Sequence, residues 1–119
     1  MKNRKLFANL AVSDLKKSMT FFAKLGFEFN PKFTDEKAAC MIVSDEAFVM
    51  LLSEPFFRAF TNKEPCSTST HVEGICALSC ESRSEVDEMI AKASAAGGKE
   101  AMNPHEHWFM YGRSEATPV

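Results

Sequence analysis

The stretch Lys5–Phe27, "KLFANLAVSDLKKSMTFFAKLGF", reads as a strand, a cap and a helix closed by a glycine. "KLFANLAV" is apolar on both of its alternating faces, the pattern of a strand covered by a helix on one side. Ser13 or Asp14 ends it and caps the helix, because a short side-chain oxygen accepts from the open amides of a first turn. Leu15, Met19, Phe22 and Gly26 then recur at helical spacing, with Ser18, Phe21 and Leu25 in the adjoining row, so this stripe must face a sheet. Gly26 stops the helix by taking the left-handed conformation that costs glycine little. "FEFNPKF" (27–33) leaves as a second strand.

Further along, "KAACMIVSDEAFVMLLS" (37–53) reads as a hairpin with Ser44, Asp45 and Glu46 at its turn. The segment 54–74, "EPFFRAFTNKEPCSTSTHVEG", is a connection, since Pro55, Pro65 and the Ser/Thr cluster oppose regular pairing. Pro55 to Phe60 forms one helical turn at most, and Phe56, Phe57 and Phe60 are too apolar to be left in water, so that turn should cover something. The opening pattern then returns. "GICALSC" (74–80) is a strand of the first kind, and Ser84 begins a helix with Glu85 and Asp87 in its first turn, where carboxylates favour the positive dipole end. Val86, Met89, Ile90 and Ala93 supply its buried stripe, Gly97 and Gly98 end it, and "HWFMYGRS" (107–114) is a further strand.

At 119 residues the chain is expected to form a single domain, 1–119, able to bury a core without covalent staples. Within it 5–53 is a first module, 54–71 a connection and 72–119 a second, shorter module. The net charge of −2, from 14 basic and 16 acidic residues intermixed, makes no basic stripe, so nucleic acid is not an expected partner. No apolar run approaches the roughly 18 residues of a membrane span, and "MKNRKLFANLAV" lacks the long apolar core and cleavage site of a leader. No membrane partner is expected, and a cytoplasmic location is the default. The four cysteines, Cys40, Cys66, Cys76 and Cys80, form no Cys-x-x-Cys pair and read as small buried hydrophobes in a reducing compartment. Cys76 and Cys80 share a strand face and are the one conceivable thiolate pair.

The repeated strand-helix-strand-strand-strand order, with Asp14, Leu15, Ser18, Phe21, Phe22, Leu25, Gly26 and Phe27 as its first signature, resembles the vicinal oxygen chelate superfamily. That group includes glyoxalase I, the bleomycin-resistance proteins and the extradiol dioxygenases. The second half looks like the small glyoxalase-related members described as lactoylglutathione-lyase-like. The resemblance implies an α+β fold of two βαβββ modules whose curved mixed sheet surrounds a central cleft. Here the second module lacks its last strand, because "GRS" passes directly into "EATPV". An unpaired edge at that end invites exchange with a second chain, so a homodimer is expected.

In the metal-dependent members the resemblance implies His, Gln or Glu ligands on the first and fourth strands of each module. Carried over, these positions are Phe7, Met50 and Ile75, and the fourth position is absent. No metal or other cofactor is therefore expected, and Lewis-acid chemistry needs donors that these side chains lack. The expected ligand-binding residues are Phe7, Asn9, Phe48, Met50, Ile75, Trp108, Tyr111 and Arg113, with Phe56, Phe57 and Phe60 as a lid. Arg113, if it faces inward, offers an anionic ligand a charge-assisted fork. With 11 phenylalanines in the chain, an apolar pocket and a cavity simply filled by rings are equally open readings. The expected function is metal-independent binding of a small apolar or aromatic molecule, in the manner of bleomycin-resistance proteins that sequester without catalysis. The alternative is a metal-dependent lyase or dioxygenase using Glu73, His105 and His107, the latter two placed in a loop by Pro104.

Overall fold

The computed structural model describes residues 3–66, 76–107 and 110–116, with the backbone alone from residue 99 onward. The chain divides into two compact units, Met1–Ile75 and Cys76–Pro118.

The first unit is a complete βαβββ module. It runs β1 (Leu6–Val12), α1 (Leu15–Lys24), β2 (Glu28–Phe29), β3 (Ala38–Ile42) and β4 (Ala47–Ser53). The sheet order is β1-β4-β3-β2, with β1 parallel to β4 and the other pairs antiparallel. The cap of α1 is Asp14, whose Oδ1 accepts from the Lys17 amide at 3.0 Å. Ser18 is fully buried in the helix stripe, and its hydroxyl is satisfied by donating to the Asp14 carbonyl at 3.0 Å. A buried hydroxyl without that acceptor would be costly.

The end of α1 explains the Leu25-Gly26-Phe27 signature. Gly26 has φ +101°, the Gly26 amide donates to the Ala23 carbonyl at 3.0 Å and the Phe27 amide reaches back to the Phe22 carbonyl at 3.1 Å. This is a Schellman ending, and the rings of Phe22 and Phe27 supply its apolar contact. Leu15, Met19 and Phe22 then pack on a core of Val12, Ala39 and Leu51, flanked by Leu10, Phe29 and Val49. Each such side chain contributes roughly 1.5–3 kcal/mol when fully buried.

Two parts of this module differ from expectation. The strand expected over 27–33 is only Glu28–Phe29, because Asn30 caps a 3₁₀ turn at Pro31–Phe33, its Oδ1 accepting from the Lys32 amide at 3.0 Å. The hairpin turn lies where its residues suggest, with Ser44 Oγ accepting from the Glu46 amide at 3.3 Å. After β4 the chain turns directly into α2 (Glu54–Phe57) and a 3₁₀ turn, Arg58–Phe60. Phe56 and Phe57 are half-buried, but Phe60 is 70% exposed, its ring meeting that of Phe56 edge-on.

The second unit contains α3 (Arg83–Ala95), β5 (Lys99–His107) and β6 (Met110–Ala116). The helix begins at Arg83 with Ser82 as its cap, rather than at Ser84: Ser82 Oγ accepts from the Glu85 amide at 3.1 Å, and the Glu85 carboxylate accepts from the Glu81 amide at 2.7 Å. Ile90 and Ala93 are buried, as the stripe requires, and Gly97 at φ +107° closes the helix with a second Schellman ending. The two strands pair antiparallel, and α3 packs against both.

Three expectations in this unit are corrected. The described part of "GICALSC", residues 76–80, forms no strand. His105 and His107 lie in β5 rather than in a loop; Pro104 falls where the ladder shifts register, the position at which a strand tolerates a missing amide. "HWFMYGRS" is not one strand, since His107 ends β5 and pairs with Met110 of β6.

Candidate functional site: the sheet face opposite α1

Alternation along the strands turns two sets of side chains to opposite sides of the sheet. One set meets α1. The other is ordered by the strand register into three rows: Phe7, Phe48 and Ile42; Asn9, Met50 and Cys40; Ala11, Leu52 and Ala38. The face thus joins residues of β1 to those of the β3–β4 hairpin, far from it in sequence.

The three rows differ in exposure. Phe7 is 48% exposed and its ring stacks on that of Phe48, with centroids 4.9 Å apart and planes 13° from parallel. Asn9 is exposed and donates through Nδ2 to the Phe7 carbonyl at 3.2 Å. Met50 is half-buried, while Cys40, Leu52 and Ala38 are buried. The face is therefore open at its Phe7 corner and closed toward Leu52, at the end of β4 from which α2 leaves. There α2 packs against β1 and β4. At the open corner the Lys5 ammonium lies 5.9 Å from the centroid of the Phe48 ring.

Burial pushes the Cys40 thiol above its ordinary pKa, so it stands as a neutral, small apolar group. The other cysteines depart from the expectation of burial. Cys76 is exposed, and Cys66 and Cys80 are intermediate. Partial burial, and then the nearby Glu85 carboxylate, push the Cys80 thiol up as well.

The donor set implied for a divalent ion does not fit this face. Phe7 and Met50 stand at the two positions where the resemblance implies first-module ligands; a phenyl ring has no donor atom, and a thioether is a poor partner for ions that take oxygen and nitrogen. The Phe7–Phe48 stack further fills the corner with ring carbon. Among the described residues no three His, Cys, Asp or Glu side chains are grouped to hold a metal.

Of the residues expected to bind ligand, the structure brings Phe7, Asn9, Phe48 and Met50 together on this face. Ile75 and Trp108 lie outside the described residues, as does Glu73. Tyr111 and Arg113 lie in β6, where Tyr111 is opposite Glu106 and the description is of backbone alone. Cys40 and Lys5 were not among the expected residues. Both were accessible to a fuller reading, Cys40 from a hairpin centred on Asp45, which pairs residue 40 with residue 50, and Lys5 from its place two residues before Phe7.

Residues 4–44 match the bleomycin resistance protein-like N-terminal family. No match to a curated protein was found. Among solved structures, a hypothetical protein, SA1046, from S. aureus aligns with 99% of this chain and 88% of its own at 26% identity and a TM-score of 0.78. A glyoxalase/bleomycin resistance protein/dioxygenase family enzyme from Burkholderia phytofirmans PsJN aligns with 94% of this chain and 88% of its own at 15% identity and a TM-score of 0.72. A glyoxalase/bleomycin resistance protein/dioxygenase from Nocardioides aligns with 92% of this chain and 72% of its own, at 18% identity and a TM-score of 0.61. The latter two are similar in fold.

Proposed function

We propose that the chain is a member of the vicinal oxygen chelate superfamily and that it binds a small, largely apolar or aromatic molecule without a metal ion. The observation that carries this reading is the half-exposed Phe7 stacked on Phe48, at a position where the resemblance implies a metal ligand. An exposed ring pair beside a thioether and a single amide gives an apolar platform with one orienting polar group. Phe7, Asn9, Phe48 and Met50 form that platform, and α2 with Phe56 and Phe57 acts as its lid.

The reading includes a homodimer, since β6 is paired only with β5 among the described residues and an open edge accepts another strand. Light scattering of the purified protein measures that state. Among the described residues no helix is long and apolar enough to cross a membrane.

Native mass spectrometry with parallel elemental analysis tests the binding reading. A metal-free protein that retains an aromatic small molecule, or that gains thermal stability with naphthalene derivatives and loses that gain in Phe48→Ala, is the expected result. One tightly held divalent ion per subunit, whose removal by chelator abolishes ligand binding, overturns it.

A further inference from the structure

Resting on the binding reading above, we propose that Lys5 makes this site selective for aromatic molecules that carry an anionic group, a carboxylate above all. Three observations converge on that chemistry. Lys5 is exposed and immediately precedes β1, where alternation puts it on the side of Phe7 and Asn9. Its ammonium lies 5.9 Å from the Phe48 ring centroid, within reach of a cation–π contact with that ring. It has no ion pair with any carboxylate among the described residues, even though Glu46 lies close by in the chain trace, its carbonyl accepting from the Leu6 amide at 2.8 Å.

A cation held over a ring by quadrupole attraction alone keeps its charge available to an incoming anion. The ring pair recognises an aromatic body, and the ammonium recognises a charge at one end of it. A neutral aromatic compound gains only the first interaction, and an aromatic amine meets repulsion at the same corner. At the other end of the platform Asn9 offers an amide that can orient a polar substituent. Residues 5 and 9 on an extended strand are separated by roughly 13 Å at their Cα atoms, a span that a fused or substituted ring bearing one carboxylate bridges once the lysine stem folds inward.

The experiment compares three probes of nearly one shape, 2-naphthoate, 2-naphthamide and 2-naphthylmethylammonium, titrated into the full chain by calorimetry at low and at 0.3 M (roughly 5 Å Debye length) salt. The expected order is naphthoate, then naphthamide, then the amine, with naphthoate favoured over naphthamide by about fivefold at low salt and less at high salt. In Lys5→Met, which keeps the stem and removes the charge, that ratio falls toward one. In Arg4→Met, a change on the alternate face, the ratio is kept. If naphthoate and naphthamide bind wild type equally, the charge selectivity is wrong while the binding reading survives. If none of the three binds, the binding reading fails and the selectivity fails with it.

Discussion

The rings of Phe22 and Phe27 meet edge-on, 6.1 Å between centroids and 74° between planes, across the glycine that ends α1. The contact links the helix stripe to the start of β2 and fixes the angle at which the chain leaves the helix. It is the structural content of the Leu-Gly-Phe signature.

Gly26 is therefore sensitive for a backbone reason alone. A Cβ built there meets nothing within 4 Å, yet φ +101° is a conformation side chains rarely adopt. Gly26→Ala should cost about 1–2 kcal/mol, and Gly26→Asn less, because asparagine tolerates positive φ best among side-chain-bearing residues. Urea denaturation of both variants measures the order; equal stability of Ala and wild type would refute it.

The start of the same helix should respond to its hydrogen-bonding chemistry. Asp14→Ala removes the acceptor for the Lys17 amide and should lose about 1 kcal/mol, while Asp14→Asn should retain most of the cap. Ser18→Val should cost about 1–3 kcal/mol, since a larger, wholly apolar side chain must enter a site with no exposure and the Asp14 carbonyl loses one donor. Thermal melts with the cap variants as reference separate the two effects.

The Phe7–Phe48 stack should be an energetic unit. A double-mutant cycle of Phe7→Leu and Phe48→Leu is expected to show a coupling of about 0.5–1.5 kcal/mol in urea denaturation, with additive losses counting against a true ring interaction.

The cysteines should separate by reagent access and by pH. Cys76 should react with a thiol reagent in the native state, whereas Cys40, 1% exposed, should react only on unfolding. Burial raises the folded Cys40 pKa above the unfolded value, so below the ordinary thiol pKa of 9.0 both states hold the proton and its contribution is fully present. As pH rises beyond that value the unfolded chain loses its proton first, and stability falls through the folded pKa. Denaturation midpoints of wild type and Cys40→Ala across pH 8–11 (from about one unit below to about two units above an ordinary thiol pKa) should show the alkaline loss shrinking in the variant. An unchanged pH slope would remove Cys40 as its source.

The local punctuation of this protein was legible in the residues themselves. Asp14, the Leu15-Met19-Phe22 stripe, Gly26 and the turn at Ser44–Glu46 all act over a few residues, through capping, helical periodicity, positive φ and hairpin closure, and each lies where its chemistry puts it. Even the helix of the second unit was readable except for its cap, where the hydroxyl of Ser82 together with Glu85 sets the first turn. The rest depended on partners distant in sequence. A strand has no hydrogen-bonded existence without a neighbour, so "GICALSC" could not be judged from its apolar residues, and β5 passes through Pro104 because its ladder is irregular there. Likewise the row Asn9–Met50–Cys40, and the stacked rings beside it, exist only because β1 runs parallel to β4 in one register. That register is a tertiary choice: a shift by one residue would turn the whole row toward α1, and burial of Val12, Ala39 and Leu51 under the helix decides against it.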